Sequence, residues 1–197
     1  MSNVRNLFRL CCIAGLASWC AAGSSVVAQA PAGGAATKPA APAAPAAPAS
    51  GPKINATMLQ LMRGIVYPAS NVVFAAQDDL SKQPAAADPA TSPNPLTSTY
   101  GGWVAVENAG LAIAESATLI TMPGRLCSNG KRAPVQRADW IRFANGVRAA
   151  GVGVYEAAKK KDQDAIVDAA GTLSDACSMC HDVYREKKGG EKDRCLP

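Results

Sequence analysis

The chain has 197 residues, 20 Lys and Arg against 15 Asp and Glu, a formal charge of +5 and 48% hydrophobic residues. That is room for one ordinary domain once non-structural segments are set aside. The charge is modest and forms no arginine-rich stripe with interleaved aromatics, so nucleic acid is not expected as a partner.

The first 30 residues carry Arg5 and Arg9 and no acidic residue, then run apolar from Leu10 to Ala22 and reach Val27-Ala28-Gln29-Ala30. A charged start, an apolar middle and a small-x-small ending read as a secretory signal cleaved after Ala30. A membrane anchor fits less well, because Gly15, Gly23, Ser24 and Ser25 interrupt a core already short for a span of about 20 residues. Removing Arg5 and Arg9 lowers the formal charge from +5 to +3. Residues 31–52 are nearly all Ala, Pro, Gly, Ser and Thr, with too little apolar bulk to collapse, and read as an extended tether. The folded domain is expected over residues 53–190, with a tail at 191–197. Export also places the remaining cysteines, Cys127, Cys177, Cys180 and Cys195, in an oxidising compartment, the periplasm.

Four segments show helical periodicity and none a convincing period of two. In the first, residues 55–77, Met58, Met62, Ile65, Ala69, Val72 and Ala76 form one stripe. Pro68 interrupts it, and its ring would meet the carbonyl of residue 64, so a kink is expected. The prolines at 84, 89, 93 and 95 make residues 78–98 a long connection. The second helix, residues 99–121, aligns Trp103, Val106, Gly110, Ile113, Ala117 and Ile120 and stops at Pro123-Gly124. The third, 137–160, aligns Trp140, Ala144, Val147, Gly151 and Val154. Lys159, Lys160 and Lys161 stand at its carbonyl pole, and Asp162 can cap the fourth helix, 163–187. The fourth stripe runs Ile166, Ala170, Leu173, Cys177, Cys180 or His181, and Tyr184. Four amphipathic helices of this length bury their stripes most simply as an all-α, antiparallel four-helix bundle.

Cys177-Ser178-Met179-Cys180-His181 is the attachment pattern of a c-type haem. Thiols three residues apart on a helix point to the same side and can reach two vinyl groups along one porphyrin edge, while the next residue, His181, offers an imidazole nitrogen to iron. Other readings of the same residues fit less well. A redox dithiol normally opens a helix after a strand, whereas here about fourteen helical residues come first. A zinc site needs four ligands, and Cys127 and Cys195 lack paired spacing. A disulfide between residues three apart would close too small a loop to add much. The expectation is one covalent haem c. With a single histidine in the chain, the sixth iron position is a methionine, another group or open. A bundle brings helix one against helix four, which nominates Met62 as a thioether ligand. Met58 and Met62 also read as ordinary core filler, and Leu61 as a shield over an open site.

The run from Cys177 to Arg185, Cys-x-x-Cys-His-x-x-Tyr-Arg, near the end of a helical exported chain resembles class II c-type cytochromes, the cytochrome c-prime superfamily. The Leu61-Met62 pair on helix one and an aromatic-started third helix resemble that family too. The similarity covers about residues 55–187, and only the haem motif is highly specific. The resemblance implies a bundle with haem held by helix four and its other face toward helix one. It also implies two subgroups: a low-spin form with Met in the place of Met62 that transfers electrons, and an open five-coordinate form, shielded in the place of Leu61, that binds nitric oxide or carbon monoxide. Arg185 matches a basic residue near the proximal histidine of the family, and a homodimer is compatible with it. The tether, Pro68, the loop with Cys127 and the tail with Cys195 depart from compact members.

Topology alone adds a disulfide. In an up-down-up-down bundle, the loop between helices two and three lies at the same pole as the end of helix four, and Cys127 and Cys195 occupy those places. The leading expectation is thus a periplasmic electron carrier with a His181/Met62 haem and a periplasmic redox-partner protein. The gas-binding form is the alternative, and a redox-inert tethered structural domain is a third. No enzyme is expected, because no inward pair of carboxylates and no nucleophile with a base is apparent. Lys159 to Lys161 could steer an acidic partner, although a solvated helix end explains them as well.

Overall fold

The computed structural model describes residues 52–196. The signal segment and, but for Pro52, the tether lie outside the described residues. Those described are mostly helical; they contain no strand, and the loop between the second and third long helices holds one isolated bridge, Leu126 to Arg132. None of the described helices is long and apolar enough to cross a membrane.

The first long helix is a composite: α1 (Met58–Leu61), a π-helical turn (Met62–Val66) and α2 (Tyr67–Ala75). A capping box starts it, with Thr57 Oγ1 accepting from the Gln60 N–H while Gln60 Oε1 accepts from the Thr57 N–H. Pro68 does not end it. The turn in front of the proline widens to i→i+5 bonding, with the Tyr67 N–H donating to the Met62 carbonyl, which makes room for a ring that lacks a donor. This extra residue corrects the expected stripe. From the last residue of the π turn onward the inward positions are Val66, Ala69, Val73 and Ala76, while Ile65 is 38% exposed and Val72 only partly buried. Before the turn Met58 and Leu61 are buried and Met62 is half-buried. The inward step from Leu61 to Val66 is five residues, a spacing that a regular α-helix cannot keep on one face.

Then come α3 (Trp103–Ile120), α4 (Ala138–Lys160) and α5 (Gln163–Tyr184). Their inward stripes follow the periodicity: Val106, Gly110, Ile113, Ala117 and Ile120 on α3, then Trp140, Ala144, Val147, Gly151 and Val154 on α4, are buried. Each helix packs against the next, and α5 returns to α2, closing a bundle. Neighbours are antiparallel. The Trp140 indole near the start of α4 donates to the Ile120 carbonyl at the end of α3, and Gln163 at the start of α5 donates to the Ala76 carbonyl just past the end of α2.

The α3–α4 pair is the tightest. A Cβ on Gly151 would stand 2.6 Å from the Ala114 nitrogen, and one on Gly110 would stand 2.7 Å from the Tyr155 nitrogen, so both positions need glycine for the backbones to touch. Only Lys161, in the left-handed region at φ 55°, and Asp162 join α4 to α5; Asp162 caps α5 by accepting from the Ala165 N–H at 3.0 Å. That turn leaves Lys159 to Lys161 exposed at the pole opposite the end of α5. At 1.5 Å per residue, His181 lies about 27 Å along α5 from Gln163.

Candidate functional site

The pole where α5 ends holds a cavity of about 630 Å³ between the first helix and α5, open to the surface. Small-molecule and cofactor sites typically span about 300–1,000 Å³ and are mainly apolar with a few polar groups. Cys177, Cys180 and His181 form the α5 wall, and Met58, Met62 and Val66 face them from the first helix. The structure therefore brings the Cys-x-x-Cys-His residues and Met62 to one space. Arg185, Cys127 and Cys195 line it as well. Leu61 does not; it is 4% exposed and packs with Ile120, Trp140 and Phe143 in the core cluster of this pole.

Helical geometry explains this wall. The α5 stripe is fully buried through Ile166, Ala170 and Leu173, then becomes half-buried at Cys177, Cys180 and His181 before Tyr184 closes it again. The partial exposure is the cavity. Cys177 and Cys180 are not bonded to each other. Burial raises the pKa of the Cys177 thiol, against an opposing pull from Arg185, and pushes that of Cys180 up to about 11, with Cys177 and Asp139 adding to the effect. Both are therefore protonated thiols at neutral pH rather than thiolates, unlike an activated redox dithiol. Burial and the Arg185 charge lower the pKa of His181, although Glu186 and Asp182 oppose them. Its imidazole is neutral at pH 7, with a lone pair free to coordinate a metal.

Beneath the wall lies an aromatic floor. Trp140 and Tyr184 meet edge to face with ring centroids 4.8 Å apart, and Phe143 stands 6.3 Å from Tyr184. Arg137 Nε donates to both the Tyr184 hydroxyl and Asp139 Oδ1 at 3.0 Å, so the start of α4 clamps the last turn of α5. The hydrogen bond from Arg137 holds the Asp139 carboxyl at about 2, well below its ordinary value. Sequence reading named Tyr184 as an inward residue but not this clamp, which joins positions 47 residues apart.

The rim carries a net positive charge: Arg63, Arg185 and Arg194 line the cavity with one carboxylate, Glu186. Arg185 pairs with Glu186, its neighbour in the chain. Cys127 and Cys195 are joined as a disulfide with Cα atoms 6.5 Å apart, linking the α3–α4 loop to the tail. The same loop holds Arg125, 4% exposed, whose guanidinium donates to the Leu119 and Ala56 carbonyls and so ties the approach to α1 onto the end of α3.

Two cavity-lining thiols beside a neutral imidazole, an apolar space with an aromatic floor, and three lining arginines fit a flat, largely apolar macrocycle carrying a metal and carboxylate groups. A closed structural zinc centre fits poorly, because Cys127 and Cys195 are consumed by each other, and among the described residues no three His, Cys, Asp or Glu side chains converge on one point. No family model matches the chain, and no curated protein or solved structure is significantly similar to it.

Proposed function

We propose that this protein is a mono-haem c-type cytochrome of the class II kind that carries electrons in the periplasm. One observation carries the reading: two unbonded cysteines and the chain's single histidine share an apolar cavity with Met62 across from them. Cys177 and Cys180 would hold haem c as thioethers, and His181 would ligate its iron. The bound group supplies a reversible one-electron change at iron.

The chain's own residues do the rest. Burial keeps His181 neutral, so its nitrogen is available without first losing a proton. Tyr184, clamped by Arg137, fixes the last turn of α5, which begins at His181. The apolar walls would leave little room for water between themselves and a bound group, limiting solvent rearrangement when its charge changes. Met62 is proposed as the sixth ligand, since of the Leu61-Met62 pair it is the one that lines the cavity, while Leu61 is turned into the core. This favours electron transfer over an open site that takes up nitric oxide or carbon monoxide. A redox partner with an acidic surface would meet the exposed Arg63 and Arg185 beside the cavity; Lys159 to Lys161 stand at the far pole. The periplasmic placement draws on the leader-like first 30 residues and on the disulfide, which oxidising compartments permit.

The visible spectrum of the dithionite-reduced protein tests the reading. Sharp, split bands unmoved by carbon monoxide are expected, with Met62→Ala converting the spectrum to one that shifts when the gas is added. A wild-type spectrum already high-spin and responsive to carbon monoxide would transfer the assignment to the gas-binding form, and absence of haem bands would remove both.

A further inference from the structure

The tail beyond α5 is held more firmly than its composition warrants. After a short helical turn at Gly190–Asp193 it folds back, and the Cys195 N–H donates to the Tyr184 carbonyl at 2.8 Å. The Asn129 side-chain amide donates to the carbonyls of Glu191, Lys192 and Arg194 at 3.2, 3.1 and 2.9 Å, and Lys131 Nζ donates to the Lys192 carbonyl. The Cys127–Cys195 disulfide locks the arrangement. A segment of lysines, glycines and acidic residues has little apolar area to dock with, so these polar ties and the crosslink fix it.

What they fix is Arg194. It lines the cavity, and its Nε is buried with no hydrogen-bond partner among the described residues. Its outer nitrogen stands 4.0 Å from Glu191, on a side chain 58% exposed, which is a weak surface pair. The Arg194 side chain as a whole is 34% exposed, but a buried Nε donor without an acceptor is costly, and guanidinium geometry suits a carboxylate above other acceptors. The two other rim arginines differ: Arg185 already has Glu186, and Arg63 is exposed.

We propose that Arg194, buckled to the rim by the Cys127–Cys195 disulfide, pairs with a carboxylate of the group held at Cys177 and Cys180, and that positioning this cation is what the crosslinked tail is for. The inference rests on the haem reading above and adds a role to residues outside the attachment motif. A fixed cation beside the site disfavours the extra positive charge of ferric iron, so it raises the reduction potential.

The test is the potential of the full-length, haem-loaded protein in chloride buffer. Arg194→Gln is expected to lower it, raising the ferric-to-ferrous ratio at fixed poise about tenfold, and Arg194→Lys to recover most of the loss. Replacing both Cys127 and Cys195 by serine should shift the potential the same way, and adding Arg194→Gln to that pair should shift it little further, because the crosslink and the arginine act as one unit. An unmoved potential in Arg194→Gln, or effects of the arginine and serine variants that simply sum, would overturn the proposal. So would a wild-type potential that moves saturably with added acetate, since the carboxylate would then come from solution. Wild-type protein without haem bands would sink this proposal and the functional reading together, whereas haem bands with an indifferent Arg194 would sink this one alone.

Discussion

Where α4 turns into α5, the interior is filled by small aliphatic side chains, Val106, Val154, Ala157, Ala158, Ile166 and Ala170 among them, and nearly all are fully buried. At the opposite pole the packing residues are Met58, Leu61, Trp140, Phe143 and Tyr184 with a disulfide, gathered around an open space. The first end is stabilised by closeness: Gly110 and Gly151 let two backbones touch, and Ala and Val fill what remains. The second keeps its helices apart, and so relies on large rings, the Arg137 clamp and a covalent link. The contrast teaches that one end of the bundle is stabilised by close backbone approach, and the other by aromatic packing and a covalent link around a cavity.

The sharpest way to break that contrast is to remove the attachment points. Replacing Cys177 and Cys180 together by serine should abolish covalent haem retention, read as loss of haem-linked peroxidase staining on a denaturing gel, while far-ultraviolet circular dichroism keeps its helical form because the closely packed end is untouched. Next in size is the crosslink. Its cysteines are 68 residues apart, so replacing both by serine should cost about 4 kcal/mol, measured as a lower urea midpoint. At the close-packed end, Gly151→Ala drives a methyl group against the Ala114 backbone and should cost about 2 kcal/mol, lowering Tm with no change in the haem spectrum. If that variant altered the spectrum instead, the two poles would not be separable.

The smallest expected effect concerns pH. The Asp139 carboxyl titrates at about 2, lowered from 3.8 chiefly by the hydrogen bond from Arg137. A depressed carboxylate pKa stabilises the fold above about pH 4, and that contribution disappears as pH falls toward 2. Asp139→Asn should lower the neutral Tm slightly and flatten its loss across this window, because the contribution that acid removes is then already absent at neutral pH, and the shift is small because solvent screens the half-exposed pair.

Much of this was legible in the sequence, for reasons visible at particular residues. Local periodicity places the α3 and α4 stripes, since neither helix has an interruption, and Cys177 to His181 is a contiguous motif whose helical context is local too. The first helix was harder. Pro68 announces a disturbance, but whether the ladder breaks, kinks or widens depends on what packs against it, and the π turn shifted the inward face from Ile65 and Val72 to Val66 and Val73. Arg194 and Asn129 were invisible, because their partners lie more than sixty residues away and their surroundings read as an ordinary polar loop and tail. The Arg137 clamp on Tyr184 was hidden in the same way.

Under the proposed function, Cys177 and Cys180 carry a haem through carbon–sulfur bonds. Intact mass spectrometry under denaturing conditions, on protein made in cells competent to mature c-type cytochromes, addresses it directly. A polypeptide heavier by one haem, with the added mass surviving acid and organic solvent, is expected. A mass equal to the bare polypeptide, with both thiols open to alkylation, would contradict it.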